Sequence, residues 1–334
     1  MEKGGCSMKR FFALLLLGLA VFAYADANIY GYFWWRYTYE NPTQPEGVED
    51  NEHAFSIERG YIRWQTKTTP VAFKGTIDIS QKGSATNTSD WNIRLKYAEA
   101  DWTLPYIGDY LPDTKLLIGL QKVYFGIMDL WEYPVIEKNL EEAEKKTNSA
   151  DLGLGLYGLL PSGYGEYAVQ VFNGSGYTHV VEANTNKAVC ANIALIPYPG
   201  VMLKGSYWMA EQPVGDTIIT QVDQDRYAGL LQLKYGPVTL MAEYLGTKDD
   251  DVNGMGYSGF AEIALTKVLS VLGRYDYFDA DTDVDNNGHN RIIGGLNFKV
   301  SNTLLTQFNY QLMTYEDDAR DSADKIMVQC KYSY

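Results

Sequence analysis

The chain is poor in the residues that do chemistry. Its 334 residues include three Cys and three His, too little for a disulfide framework or a Cys/His metal cluster. His53, His179 and His289 fall in or beside separate connections. No His–Ser or His–Asp pair that could activate a nucleophile is placed on one element, so an enzyme is not expected. Positive charge is in deficit, 28 Lys and Arg against 42 Asp and Glu, and no nucleic-acid partner is expected. After the first 25 residues no apolar run approaches the ~20 residues of a membrane-spanning helix. What the chain has in abundance is Tyr (27) and Gly (31).

The single apolar run is N-terminal. "MKRFFALLLLGLAVFAYADA" begins at Met8 with Lys9 and Arg10, continues through Phe11–Ala23 and ends on Ala23-Tyr24-Ala25. Charge, apolar stretch and small-residue site are those of a secretory signal peptide. Residues 1–25 read as that peptide, with Met8 as the true start, and 26–334 as the mature chain. Cys6 precedes the apolar run and is no lipoprotein cysteine.

The rest alternates. "KIMVQCKYSY" sets Ile326, Val328, Cys330, Tyr332 and Tyr334 against Lys325, Gln329 and Lys331, and "LSVLGRYDYF" sets Val271, Gly273, Tyr275 and Tyr277 against Arg274 and Asp276. Period-two patterns mark half-buried strands. Sixteen such segments lie near 28–40, 53–66, 71–80, 91–103, 114–128, 149–159, 164–173, 188–197, 201–211, 225–235, 237–247, 256–266, 269–278, 290–299, 302–313 and 324–334. Most have the length of a tilted membrane-crossing strand, and the number is even. Connections after even-numbered strands are mostly tight ("KTTP", "YPG", "YGP"), whereas those after odd-numbered strands run to roughly eight to twenty residues. The expected fold is all-β: a 16-stranded transmembrane antiparallel barrel with short periplasmic turns and long extracellular loops. Tyr227, Tyr235, Tyr244, Tyr257, Tyr275 and Tyr310 fall near strand ends, where interfacial girdles sit. Cys190 and Cys330, on strands 8 and 16, are too far round the ring to pair.

Charge is unevenly placed. Residues 1–25 carry two more bases than acids, so the mature chain holds −16 in place of −14. Six of the eight long connections carry net acid, −18 together, which points to a rim lying among lipopolysaccharide phosphates bridged by divalent cations. In "DADTDVDNNGHN" the aspartates Asp279, Asp281, Asp283 and Asp285 look like a calcium loop without its closing Glu. A loop-bound Ca²⁺ or Mg²⁺ is the only cofactor expected. Strand cations should face the lumen, because charge facing lipid at mid-bilayer costs ~2–4 kcal/mol. The pore-lining candidates are Arg59, Arg63, Lys74, Arg94, Lys96, Lys122, Lys204, Lys234, Arg274, Asp276, Arg291 and Lys299. Arg274 and Asp276 share a face and could simply pair with each other in the wall. A polar lumen in a barrel this wide is a water-filled channel.

"EKNLEEAEKK" at 137–146 is the best helix-forming stretch of the mature chain. It lies in the longest connection, between strands 5 and 6, behind the apolar anchors Leu130, Trp131, Val135 and Ile136. Folded into the lumen, it would set Glu132, Glu137, Lys138, Glu141, Glu142, Glu144, Lys145 and Lys146 across the opening, and mixed charge there screens solutes.

"FSIERGYIRW" (55–64), "LKYAEADW" (95–102), "LLIGLQKVYFG" (116–126), "VFNGSG" (171–176) and "LGRYDYFDADTDVDNN" (272–287) together resemble outer-membrane porins of the phosphate-selective porin O and P type. The resemblance implies a homotrimeric bacterial outer-membrane porin that passes small ions and solutes by passive diffusion, with an anion or phosphate preference. In that family the F-x-I strand continues with paired arginines; this chain has Glu58-Arg59, with Arg63 at the same parity. The thinned ladder and acidic loops favour a general diffusion porin. The competing readings are an adhesin or structural barrel and an outer-membrane hydrolase barrel.

Overall fold

The computed structural model describes residues 27–41, 52–81, 91–107, 110–131, 137–178, 186–214 and 220–334. Residues 1–25, expected as a signal peptide, and Glu132, Val135, Ile136 and His179 lie outside them.

Sixteen strands form one closed antiparallel barrel, each paired with its sequence neighbours and β1 with β16. They are β1 (Ala27–Asn41), β2 (Glu52–Thr66), β3 (Val71–Gln81), β4 (Trp91–Thr103), β5 (Lys115–Lys122), β6 (Ala150–Leu159), β7 (Gly165–Phe172) and β8 (Ala188–Tyr198). They continue as β9 (Val201–Val214), β10 (Thr220–Tyr235), β11 (Val238–Asp249), β12 (Val252–Ala264), β13 (Leu269–Asp279), β14 (His289–Lys299), β15 (Leu304–Tyr315) and β16 (Ala323–Ser333). Closure is made at the last residue. Gly31 and Tyr334 exchange backbone hydrogen bonds of 3.2 and 3.1 Å. The Tyr334 hydroxyl donates to the Tyr61 carbonyl at 3.3 Å. A Cβ at Gly31 would lie 2.0 Å from that carbonyl, so only glycine allows the clasp.

Alternation decides the two faces. Ile193, Leu203, Leu240, Ile292, Phe308 and Val328 point outward and are exposed, while Gln121, Gln170, Gln307, Asn309 and Gln329 point inward and are buried. An apolar exterior over a hydrogen-bonded polar interior inverts a soluble core and is what a bilayer requires. Tyr207, Tyr227, Tyr244, Tyr257 and Tyr275 form an exposed band over β9–β13, with ring centroids 6.1 Å apart for Tyr227–Tyr244 and 6.0 Å for Tyr257–Tyr275.

Three boundaries differ from the sequence expectation. The acidic stretch 248–255, expected as a long loop, is mostly strand: Lys248 pairs with Asn253 and Asp249 with Val252. Only Asp250 and Asp251 make the turn, with Asp250 at φ 52°, a conformation Asp tolerates better than most residues. The 212–224 stretch is likewise drawn into β9 and β10. The connection between β4 and β5, on the short-turn rim, runs from 104 to 114 and includes a 3₁₀ turn at Pro105–Ile107.

Strand β5 stops at Lys122, not at 128, because the chain there leaves the wall and enters the lumen. Helix α1 (Leu140–Ala143) is only four residues long. Asn139 caps it, its Oδ1 accepting the Glu142 amide at 2.8 Å, and Lys145 at φ 55° ends the turn that follows. Two apolar clusters then form inside the barrel. Val123, Phe125, Met128 and Leu140 pack on Phe172, Cys190, Trp208, Ala228, Leu245 and Phe278. Ile127 and Trp131 pack on Trp34, Leu230, Met241, Phe260 and Leu272. The insert is thereby packed chiefly against β7–β13, with a further contact to Trp34 of β1. Cys190 and Cys330 are free thiols.

Candidate functional site

With one half of the lumen filled by the insert, the β1–β5 half faces a cavity of about 470 Å³. Its wall is built from three strands that alternate cation and tyrosine. On β2, Arg59 donates to the Tyr61 hydroxyl at 3.0 Å, and the Arg63 guanidinium lies 4.8 Å from the Tyr61 ring and 5.1 Å from Tyr32. From β4, Lys96 donates to the same Tyr61 hydroxyl at 2.7 Å. Lys96 also lies 5.3 Å from the ring of Tyr177. Cation–π contact of this kind holds each charge without neutralising it. Among the described residues, neither Arg63 nor Lys96 has a carboxylate in ion-pair reach, and Arg63 Nε is buried without a hydrogen-bond partner. Tyr177 donates to Asp78 Oδ2 at 3.0 Å. Burial raises its phenol to about 12, against the opposing pull of Lys96. Asp78 also pairs with Arg59 at 3.5 Å.

Two β-bulges crowd this wall. Opposite Trp34 and Trp35 the register skips from Arg59 to Ile57, leaving Glu58 as the extra residue, and Glu58 pairs with Arg36 at 3.3 Å. Opposite Thr76 and Ile77 it skips from Tyr97 to Leu95, leaving Lys96 as the extra residue. A bulge lets two consecutive side chains turn the same way. Lys96 and Tyr97 therefore both line the cavity, a doubling that strict parity counting misses.

The pore-lining candidates separate into three groups. Arg63, Lys74, Lys96 and Lys122 line the cavity on the open side, and Arg59 lies behind them on Tyr61 and Asp78. Lys74 bridges Glu99 (3.3 Å) and Asp101 (2.5 Å), and Lys122 donates to the Asp129 carbonyl at 2.7 Å. Lys204, Arg274, Asp276 and Arg291 face the lumen but lie under the insert. Lys204 is ion-paired with Asp129 and fully buried. Arg274 pairs with Asp276 at 2.7 Å and donates to the Lys138 carbonyl at 2.5 Å. Arg291 reaches Glu144 at 3.6 Å. These residues anchor the insert; they do not line the opening. Arg94, Lys234 and Lys299 are exposed and away from the cavity.

The insert's own charges mostly face the wall as well, contrary to the reading of the loop as a ring of charge around the opening. Glu137 pairs with Arg36 at 3.7 Å and accepts from Gln311 at 3.3 Å. Burial disfavours its ionisation, but Arg36, Lys325, Arg291 and the Lys138 amide outweigh burial and hold the carboxyl well below the ordinary range. Glu144 meets His289 at 3.2 Å, and Lys146 meets Asp249 at 3.4 Å. Glu141 is completely buried beside Glu243 of β11. Its Oε1 accepts the Ile127 amide at 3.2 Å, and burial raises its carboxyl. Two carboxyl groups this close and this dry share a proton. Gly126 makes the fit: its φ is +51°, and a Cβ there would lie 2.0 Å from Glu141 Oε1 and 2.6 Å from Glu243 Oε1. Lys138 and Lys145 are exposed. Of the insert's candidate charges among the described residues, Glu142 alone lines the cavity, joined there by Asp129 and Trp131. The tyrosines Tyr32, Tyr61 and Tyr97 and the acid Asp129 were not among the sequence candidates, although Asp129 and Trp131 stand at the head of the insert.

Asp279 and Asp281 turn their carboxylates onto their own backbone, accepting the amides of Asp281 (3.0 Å) and Asp283 (3.1 Å). Among the described residues no three Asp, Glu, His or Cys side chains gather as metal ligands, so Asp279, Asp281, Asp283 and Asp285 form no closed cage.

No family model and no curated protein sequence matches the chain. Solved structures match its fold throughout. The Pseudomonas putida protein OprB superposes with a TM-score of 0.68 at 10% identity, covering 94% of this chain and 96% of that one. A trimer form of OmpT, an outer membrane protein of Vibrio cholerae, gives 0.67 at 11% identity, covering 93% and 99%. An anion-selective porin from Comamonas acidovorans gives 0.64 at 13% identity, covering 93% and 100%. The chain shares the overall fold of these proteins.

Proposed function

We propose that the protein is a bacterial outer-membrane porin, a non-enzymatic channel through which small hydrophilic solutes and ions diffuse, with a preference for anions. The observation that carries this reading is the polar cavity between the insert and the β1–β5 wall. Its lining includes the cations Arg63, Lys74, Lys96, Lys122 and Lys331 against the carboxylates Glu99, Asp129 and Glu142. The surplus of cations lies where the passage is narrowed, and a low-dielectric wall strengthens its field on a passing ion. Described acids of the long connections such as Asp249, Asp279 and Glu316 are not among the residues lining this cavity, and charges farther off than about 8–10 Å are screened at physiological salt.

The leader at 1–25 would direct export, and the apolar exterior with its tyrosine band would seat the barrel in the membrane. A homotrimer is proposed on the likeness to barrels such as the trimer form of OmpT. Any divalent cation at Asp279–Asp285 would bridge these exposed acids to lipopolysaccharide phosphates.

The test is swelling of liposomes reconstituted with the refolded protein. Rates should fall steeply with solute size and, at equal size, be higher for an anionic solute than for a cationic one. Well-folded protein that swells no liposomes would contradict the channel and favour an adhesin barrel.

A further inference from the structure

We infer that the cavity beside the insert is a binding site for a monosaccharide that carries one oxyanion group, a sugar phosphate or a sugar acid. This deepens the channel reading and rests on it. Three features of the cavity argue for such a solute.

The first is a cation pair built to hold an oxyanion. Arg63 and Lys96 come from neighbouring parts of one wall and share the Tyr61 ring. No carboxylate among the described residues neutralises either. Arg63 Nε is buried and unsatisfied, and Lys96 is 3% exposed. Both residues line the cavity, and the Arg63 guanidinium end and the Lys96 ammonium would hold an oxyanion by charge-assisted hydrogen bonds.

The second is the chemistry around that pair. The Arg63 guanidinium lies against the rings of Tyr32 and Tyr61, while Lys96 donates to the Tyr61 hydroxyl and lies beside the ring of Tyr177. A planar aromatic anion would have to displace those cations in order to stack. The cavity instead offers phenol oxygens, and on the insert side the carboxylate of Glu142. Carboxylates accept from hydroxyl groups and repel oxyanions, so Glu142 suits the hydroxyl end of a solute whose anionic end is on Arg63 and Lys96.

The third is size. About 470 Å³ lies in the ~300–1,000 Å³ range of small-molecule sites. It is far larger than an inorganic oxyanion needs.

The experiment is solute block of single-channel current in a planar bilayer, using the full chain refolded in detergent. Glucose 6-phosphate, glucuronate, glucose and inorganic phosphate are titrated in turn. Glucose 6-phosphate or glucuronate should interrupt the current at concentrations at least ten-fold lower than glucose or phosphate. Which of the two blocks better identifies the oxyanion. Arg63→Gln should raise the half-blocking concentration ten-fold or more. Glu142→Gln should raise it several-fold for the anionic sugar and not for phosphate. Folding of each variant is checked by its heat-modifiable migration on gels. Phosphate that blocks as well as either sugar anion, or block indifferent to Glu142→Gln, would overturn the inference while leaving the channel in place. Absence of any conductance would instead defeat the channel reading.

Discussion

Lys204 and Arg63 carry the same charge into the same lumen and do opposite things. Lys204 is sealed beneath the insert on Asp129, whereas Arg63 lies against two tyrosine rings beside open space. Removing one partner of a buried ion pair leaves the other desolvated and uncompensated, at a cost of about 3–5 kcal/mol. Asp129→Asn should therefore lower the temperature at which the folded band converts to the unfolded one on gels. Arg63→Gln should leave that temperature nearly unchanged and move the reversal potential toward cation preference. Gly126→Ala is a third case at this scale. The added methyl would meet Glu141 and Glu243, and the left-handed backbone costs a further ~1–2 kcal/mol for any residue with a Cβ. The expected result is a loosened insert, read as increased open-channel current noise.

At the scale of elements, the insert is held by two carboxyl anchors with opposite pH responses. Glu137 has its carboxyl lowered by Arg36 and its neighbours. The stability it contributes is present above the ordinary carboxylate pKa near 4.5 and is lost as pH falls through the lowered value. Glu141 has its carboxyl raised by burial. The stability it contributes is full below about 4.5 and declines as pH rises through the raised value. Current noise from the insert should grow on the alkaline side, and Glu243→Gln, which supplies a permanent donor in place of the shared proton, should suppress that growth. Noise that stays flat with pH in the unmodified protein would refute the shared proton. Deleting residues 129–148 should widen the passage, giving a several-fold larger conductance with weaker charge selectivity. The sequence shows this element only in part. Good helix formers at 137–146 mark an interruption in an all-β chain, yet only Leu140–Ala143 is helical. The direction of each charge follows from partners on β1, β9, β11 and β14 that are remote in sequence. Glu58 and Tyr97 were beyond parity counting for a related reason: a bulge shifts side-chain direction by one residue without changing composition.

At the scale of the whole molecule, alternation made nearly all of the barrel legible, because lipid on one side and water on the other force a period of two on every strand. Acidity was the weaker guide. Asp249 and Asp223 were assigned to loops, but both belong to extended hairpins, since hydrogen-bonded backbone tolerates acid at the rim. Net charge also misleads about passage. The acidic rim dominates the total of −14, while the narrowed cavity holds more cations than carboxylates. The most direct test of that claim is the reversal potential of single channels in a planar bilayer under a KCl gradient. The account expects conductance steps in threes and a reversal potential with the sign of chloride's equilibrium potential. A potential with the sign of potassium's would contradict it, and would place control of passage in the acidic rim.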